Sequence, residues 1–170
     1  NLWSEVKIFP FLKYRLNVGY ETSNDHNKYL RKVGNWQLNQ EFRESMIDQN
    51  RARSSTNLVE NTLTFNKTFN KHFVNVVVGQ TYQKNQYSQI NGRKRNLLVN
   101  PVDGSYYDVL DQGDQAEVGG FENESYLLSY LGRLEYIFAD KYFFNAVVRS
   151  DGSSRLSNDN KWNTFPSISG

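Results

Sequence analysis

Apolar and polar residues alternate along two adjacent runs late in the chain. In YLLSYLGRLEYIF, residues 126–138, the even positions are Tyr126, Leu128, Tyr130, Gly132, Leu134, Tyr136 and Phe138, whereas Ser129, Arg133 and Glu135 fall on odd ones. A period of two belongs to a strand whose faces meet unlike surroundings. After Asp140 and Lys141 the pattern resumes, with Tyr142, Phe144, Ala146 and Val148 on one side and Asn145, Arg149 and Asp151 on the other. Two such runs joined by a tight turn predict a β-hairpin.

Extended to the whole chain, alternation and turn residues predict seven antiparallel strands, over 2–8, 12–22, 54–66, 72–88, 125–139 and 142–155, with the last opening at Trp162. The second strand sets Leu12, Tyr14, Leu16, Val18 and Tyr20 against Lys13, Arg15, Asn17 and Glu21. The fourth is less regular, and its even positions, from Val74, Val76 and Val78 to Gln80 and Tyr82, are assigned to the same apolar face. Short connections at Phe9-Pro10-Phe11, 66–71 and Asp140-Lys141 alternate with 23–53, 89–124 and 156–161 at the other end. Two of these are far longer than the roughly 15 structureless residues that compact soluble domains usually tolerate. Short turns at one end and long loops at the other characterise outer-membrane barrels. Within 23–53, the segment WQLNQEFRESMI spaces Leu38, Phe42 and Met46 every four residues, which admits a short helix.

Composition sharpens the choice of solvent. The chain has 170 residues, with aromatics at 15% and charged residues at 22%, and its mean hydropathy is −0.73. No window of about 18 apolar residues exists, so a transmembrane helix is excluded. A transmembrane barrel is not, because strands that turn polar residues to a lumen have low average hydropathy. Patterning alone admits two structures: a barrel wall whose apolar face meets acyl chains, and a soluble β-sandwich whose apolar face meets a second sheet. Tyrosines near the strand ends match the interfacial girdle of the first. Several strands of about 14 residues exceed the roughly 9–11 needed to cross the hydrocarbon, so they would project toward the long loops. The net charge of +2 and a single basic run, Arg93-Lys94-Arg95, offer no stripe for nucleic acid. There is no cysteine, hence no disulfide framework and no thiolate metal site.

Three stretches carry a resemblance to a known family. ENTLTFNKTFNKHFVNVVVGQTYQ at 60–83, SYLLSYLGRLEYIFADKYFFNAVVRSDGSSR at 125–155 and KWNTFPSISG at 161–170 resemble the barrel of SusC/RagA-type TonB-linked outer-membrane transporters. Leu156 stands where that family has a Phe after DGSSR, a conservative departure. The matches cover about half the chain, in the family's order. The resemblance implies an all-β fold, an antiparallel transmembrane β-barrel segment supplying about seven strands of a 22-stranded barrel whose lumen holds a plug, with short periplasmic turns and long extracellular loops. Residues 1–170 would then be one partial barrel domain, with plug and N-terminal domains outside this chain. A complete eight-stranded barrel is the rival that the length suggests. An odd count of strands argues against it, because single-chain bacterial barrels use an even number and an open edge in lipid leaves N–H and C=O groups unpaired.

The same resemblance implies import of oligosaccharides or oligopeptides through the outer membrane of a Bacteroidetes cell. A SusD-like surface lipoprotein would act as lid, and the TonB–ExbB–ExbD complex would act through regions outside the chain. A siderophore or cobalamin receptor and a non-transporting structural barrel are the alternatives. Enzyme and cofactor signals are poor. His26 and His72 are the only histidines and lack metal-ligand spacing. Asp108, Asp111 and Asp114 sit in an acidic loop without a rigid scaffold for two-carboxylate chemistry. DGSSR at 151–155 reads as a bend at a strand exit, with alternate charges pairing along the wall. Loop 89–124 supplies the candidate substrate-binding residues: Tyr106, Tyr107 and Phe121 to stack on a sugar ring, and Asp108 and Asp111 to fix its orientation. Calcium, a partner's surface and plain solvated loop stay open as other uses of this segment.

Overall fold

The computed structural model describes residues 1–37 and 40–170. These form nine strands: β1 (Leu2–Phe9), β2 (Leu12–Arg31), β3 (Gly34–Gln37), β4 (Gln40–Phe42), β5 (Met46–Phe69), β6 (His72–Arg95), β7 (Asp114–Phe138), β8 (Tyr142–Ser153) and β9 (Trp162–Ser169). Seven make one sheet in the order β1-β2-β5-β6-β7-β8-β9, each beside its predecessor in that sheet, and β3 and β4 form a separate hairpin. The seven predicted strands are all present. The sheet is open, with β1 and β9 at its edges.

The chain divides into two compact units, one of residues 1–21, 55–86 and 124–170, the other of 22–54 and 87–123. In the first, the register separates apolar from polar residues. Gly132 opposes Val148, Leu134 opposes Ala146 and Tyr136 opposes Phe144, and Ala146 and Val148 in turn oppose Ile168 and Pro166. The alternate positions pair Glu135 with Asn145 and Ser129 with Asp151. Between β1 and β2, Leu2 faces Val18 and Val6 faces Tyr14, while Glu5 faces Arg15. Side-chain contacts carry the division across β6: His72 packs at 4.8 Å from Phe138 and Tyr82 at 6.2 Å from Tyr126, whereas Asn75 bonds Glu135 at 3.2 Å. Even positions of β6 therefore share the apolar face, as their alternation predicts.

Large apolar side chains in this unit remain solvent-accessible: Val78, Phe143, Phe165 and Ile168 are 55%, 56%, 57% and 74% exposed. The polar face is cross-linked by Asn17 to Glu60 at 2.7 Å and Thr56 to Asn85 at 3.0 Å, and along β8 Arg149 pairs with Asp151 at 2.9 Å. That last pair is a pairing of alternate charges along the wall, as expected where DGSSR begins. The turn between β7 and β8 holds Ala139 and Asp140 at φ 55° and 54°, with the Lys141 N–H donating to the Phe138 carbonyl at 3.1 Å. Two central residues with positive φ match the hairpin twist, although alanine adopts that conformation at a cost.

The second unit corrects the reading of the long loops. Strands β2, β5, β6 and β7 continue well into 23–53 and 89–124, so the loop between β6 and β7 shrinks to 96–113. No helix forms over the described part of 36–47. The backbone is strand at Gly34–Gln37, Gln40–Phe42 and from Met46 onward, and Leu38 lies outside the described residues. A stripe of three apolar residues is too short to overcome the cost of helix nucleation. Met46 and Ile47 are instead buried in a small core with Leu97. The Leu97 N–H donates to Ser45 Oγ at 2.8 Å and the Asn96 N–H to the Ser45 carbonyl at 2.9 Å, which ties the strand β5 entry to the end of β6.

Gly152 gives a local test of the sheet. A Cβ there would meet Trp162 ring atoms at 2.8 Å, and Trp162 is stacked on Tyr130 at 5.9 Å. In the full-length protein, Gly152→Val should displace the indole and cost about 1–3 kcal/mol. The measurements are the unfolding midpoint and tryptophan emission, and an unchanged pair of values would contradict this packing.

Candidate functional site

Four strands of the second unit surround a concavity of about 870 Å³. His26 comes from β2, Arg51 and Arg53 from β5, Ile90 from β6, and Val118, Phe121 and Glu122 from β7. Charged and apolar groups thus line the same space, the mixture that binds an organic molecule with both kinds of surface. Gly119 and Gly120 open its β7 wall. A Cβ on Gly120 would come within 2.7 Å of the Gln89 carbonyl oxygen, so the two backbones approach more closely there than a side chain permits.

Phe121 is the one sequence candidate that lines this space. Its ring packs against Tyr87 at 5.4 Å, and both are exposed, at 55% and 36%. A Cβ on Gly119 would lie 3.0 Å from Asn91 Oδ1, so Gly119, Phe121, Tyr87 and Asn91 share one face of the β6–β7 pair.

The other four candidates stand on loop 96–113, which takes a different course. A Cβ on Gly92 would lie 2.8 Å from Leu110 Cδ1. Because Gly92 points opposite to Asn91 and Arg93, the loop rests on the face away from Phe121. Tyr106 forms an isolated bridge with Val99, and the Tyr107 N–H donates to the Leu98 carbonyl at 3.0 Å while its side chain stays 39% exposed. Asp108 accepts a bond from Lys28 Nζ at 2.6 Å. Asp111 meets Gln112 Nε2 at 3.4 Å. The aromatics expected to act together are thus divided between two faces.

The charged residues of this unit are largely spent on one another. Arg93 binds Asp48 at 2.6 Å and Glu117 at 3.5 Å. Arg95 binds Glu117 at 3.1 Å and Glu44 at 3.7 Å. Lys94 Nζ donates to the Gly113 carbonyl at 3.2 Å. The hydrogen bond and charge of Asp48 hold the Arg93 guanidinium above its ordinary pKa. The basic run is therefore a clamp joining β5, β6 and β7. Asp103 is similarly occupied, since the backbone N–H and the hydroxyl of Ser105 hold its carboxyl below the usual range. Among the described residues, no group of three or more His, Asp or Glu is arranged to hold a metal ion.

No family model matches the chain. Curated relatives do. Over 116 residues, 68% of this chain, it is 38% identical to "TonB-dependent receptor P3" of Formosa agariphila. Over 64 residues, 38% of the chain, it is 45% identical to "TonB-dependent receptor SusC" of Bacteroides thetaiotaomicron. The chain is a SusC/RagA-like barrel segment. It spans 11% of the first relative and 6% of the second. The fold agrees: 98% of the chain superposes on 18% of a chain in the structure of the RagAB peptide transporter, with a TM-score of 0.85 at 18% identity. The "open-open" state of the RagAB peptide importer gives a TM-score of 0.81 at 20% identity. By name these relatives are receptors and transporters. The signal for the Phe121 concavity was faint in sequence, because Arg51, Arg53, Ile90 and Val118 lie where alternation gives way to polar residues on both faces.

The Lys28 contact titrates with a definite sign. The hydrogen bond and charge of Lys28 depress the Asp108 carboxyl below its ordinary pKa. Its contribution to loop docking is thus present above the usual carboxylate value of about 4 and lost as pH falls through the lower folded value. Hydrogen exchange in 105–110, corrected for intrinsic rates, should accelerate on acidification in the full-length protein. Lys28→Gln should remove that acid-dependent step; a step of equal size in the variant would refute the contact's role.

Proposed function

We propose that this chain is part of the barrel wall of an outer-membrane, TonB-dependent importer in a Bacteroidetes cell, working with a SusD-like surface lipoprotein on an oligosaccharide or oligopeptide. The observation that carries the proposal is the 38% identity to a TonB-dependent receptor across 68% of the chain. The two-faced sheet supports it physically. Its apolar face meets hydrocarbon, its polar face meets the lumen, and short turns face the periplasm. The 1–170 segment is a partial barrel domain in this reading, and plug and TonB contacts belong to other parts of the receptor.

Within it, the exposed pair Tyr87 and Phe121, packed against each other at a tilt, is the cargo-facing element, where apolar faces of sugar rings or peptide side chains would pack. Tyr106 and Tyr107, on the opposite side of the β6–β7 pair, serve instead as contacts for the lipoprotein, with Asp108 and Asp111 at a polar rim. The two roles separate in a purified complex. Phe121→Ala should weaken cargo binding roughly tenfold with the lipoprotein still attached. Tyr106→Ala combined with Tyr107→Ala should release the lipoprotein with cargo affinity of the isolated receptor retained. Cargo affinity and attachment unchanged in both variants would return these residues to plain surface.

The faces are tested in a bilayer. Leu134→Arg puts a charge on the apolar side and should cost about 2–4 kcal/mol near the midplane, whereas Arg133→Leu should cost much less. Equal losses in unfolding of the reconstituted receptor would reject the lipid assignment, as would absence of the full receptor from the outer-membrane fraction.

A further inference from the structure

The apolar face is not uniform, and a concavity on it lies above two lysines. Val78, Leu134, Val148 and Ile168 border a groove of about 370 Å³ on β6 to β9. Its floor is made by Gly132 and Ala146, small residues surrounded by larger ones. Following β7 and β8 from the groove to their shared turn, the same face becomes aromatic, with Tyr136 opposite Phe144 and Phe138 opposite Tyr142. His72 packs against Phe138 at 4.8 Å.

At the end of this path two turns are joined, because the Ala139 N–H donates to the Lys71 carbonyl at 2.7 Å. Lys71 and Lys141 therefore stand on adjacent turns. Lys141 Nζ lies 5.6 Å over the Tyr142 ring. Among the described residues neither lysine has an ion pair within 4.0 Å. Asp140 is the sole acidic residue in the two turns. The cluster thus carries net positive charge beside an aromatic belt.

We propose that this strip is a binding site for one phospholipid, its acyl chain in the Gly132–Ala146 groove and its phosphate at Lys71 and Lys141. The inference rests on the reading of this face as lipid-facing. Dimensions agree with it: Ala146 is five residues from Lys141, about 17 Å along a strand, close to half of a hydrocarbon core about 30 Å thick. The Lys141 ammonium stands beside the aromatic belt over Tyr142, and a long lysine stem lets such a charge reach the headgroup level. The phosphate supplies the negative charge that the two turns lack. The short-turn end selects a phospholipid of the periplasmic leaflet.

The test uses the full-length receptor in detergent, with native mass spectrometry to count bound lipid. The probes are dioleoyl phosphatidylglycerol and the neutral dioleoylglycerol. Lys71→Gln with Lys141→Gln should lower affinity for the phospholipid about thirtyfold and leave the neutral lipid unaffected. Ala146→Phe fills the groove and should lower affinity for both by at least about tenfold; Ala146→Leu serves if the larger ring prevents folding. Retention equal to wild type in the groove variants, or a preference for neither lipid, overturns the site. Failure to find the receptor in the outer membrane would overturn the underlying reading, whereas correct insertion with unspecific lipid retention overturns only this inference.

Discussion

The rest of the structure depends on how a single layer of sheet satisfies its apolar face. Among the described residues the buried hydrophobic ones are Met46, Ile47, Ala52 and Leu97, and all four lie in the second unit. In the first unit the buried positions are Gly19, Ser125, Ser129 and Gly152. A sheet that aligns Leu134, Ala146 and Ile168 on one face, with Val148 46% and Ile168 74% exposed, has no protein layer of its own to cover them. In water that arrangement forfeits the main favourable term of folding. In hydrocarbon the same side chains need no cover, while each backbone N–H and C=O must find a partner, and an antiparallel ladder provides them.

Register follows from the same constraint. A slip of β7 by one residue against β8 would carry Arg133 and Glu135 onto the face of Phe144 and Ala146. Each polar contact on the other face, Asn17 with Glu60 or Asn75 with Glu135, is individually weak because it is at least partly open to solvent. Their common effect is positional. They reward one alignment of neighbouring strands, and the cost of exposing charge to hydrocarbon punishes the others. The turn between β7 and β8 works in the same direction, since its positive-φ residues Ala139 and Asp140 set a tight connection between paired Phe138 and Tyr142 that fixes which partners meet.

Legibility in the sequence tracked that division of faces. The turn-proximal halves of β2, β6, β7 and β8 were readable because every second side chain is apolar. The distal halves were not. In TSNDHNKYLR of β2 and SQINGRKR of β6, polar residues occupy both sides, so nothing in the side chains distinguishes strand from loop. The strand persists there because its backbone pairs with neighbours and not because of any periodicity. The same blindness produced the expectation of a helix around Phe42 and Met46, which burial in a small core resolved as strand. Arg93-Lys94-Arg95 likewise read as a basic run, while its acidic partners, Glu44, Asp48 and Glu117, are remote in sequence.

The candidate binding residues show what proximity in sequence conceals in a β-structure. Tyr107 and Phe121 are separated by a loop end and one strand entry, and a reading by sequence alone joins them into a single aromatic patch. The strand places successive residues on opposite faces, and the loop must choose one face to lie upon. Leu110 decides the choice: it fills the space over Gly92, where any larger residue would obstruct it. That contact keeps Tyr106, Tyr107 and Asp108 on the side away from Phe121 and leaves the Phe121 side open above Gly119 and Gly120. A packing contact of one leucine on one glycine therefore separates two surfaces that a shared loop would otherwise have merged, and each is free to diverge for a different ligand without disturbing the other.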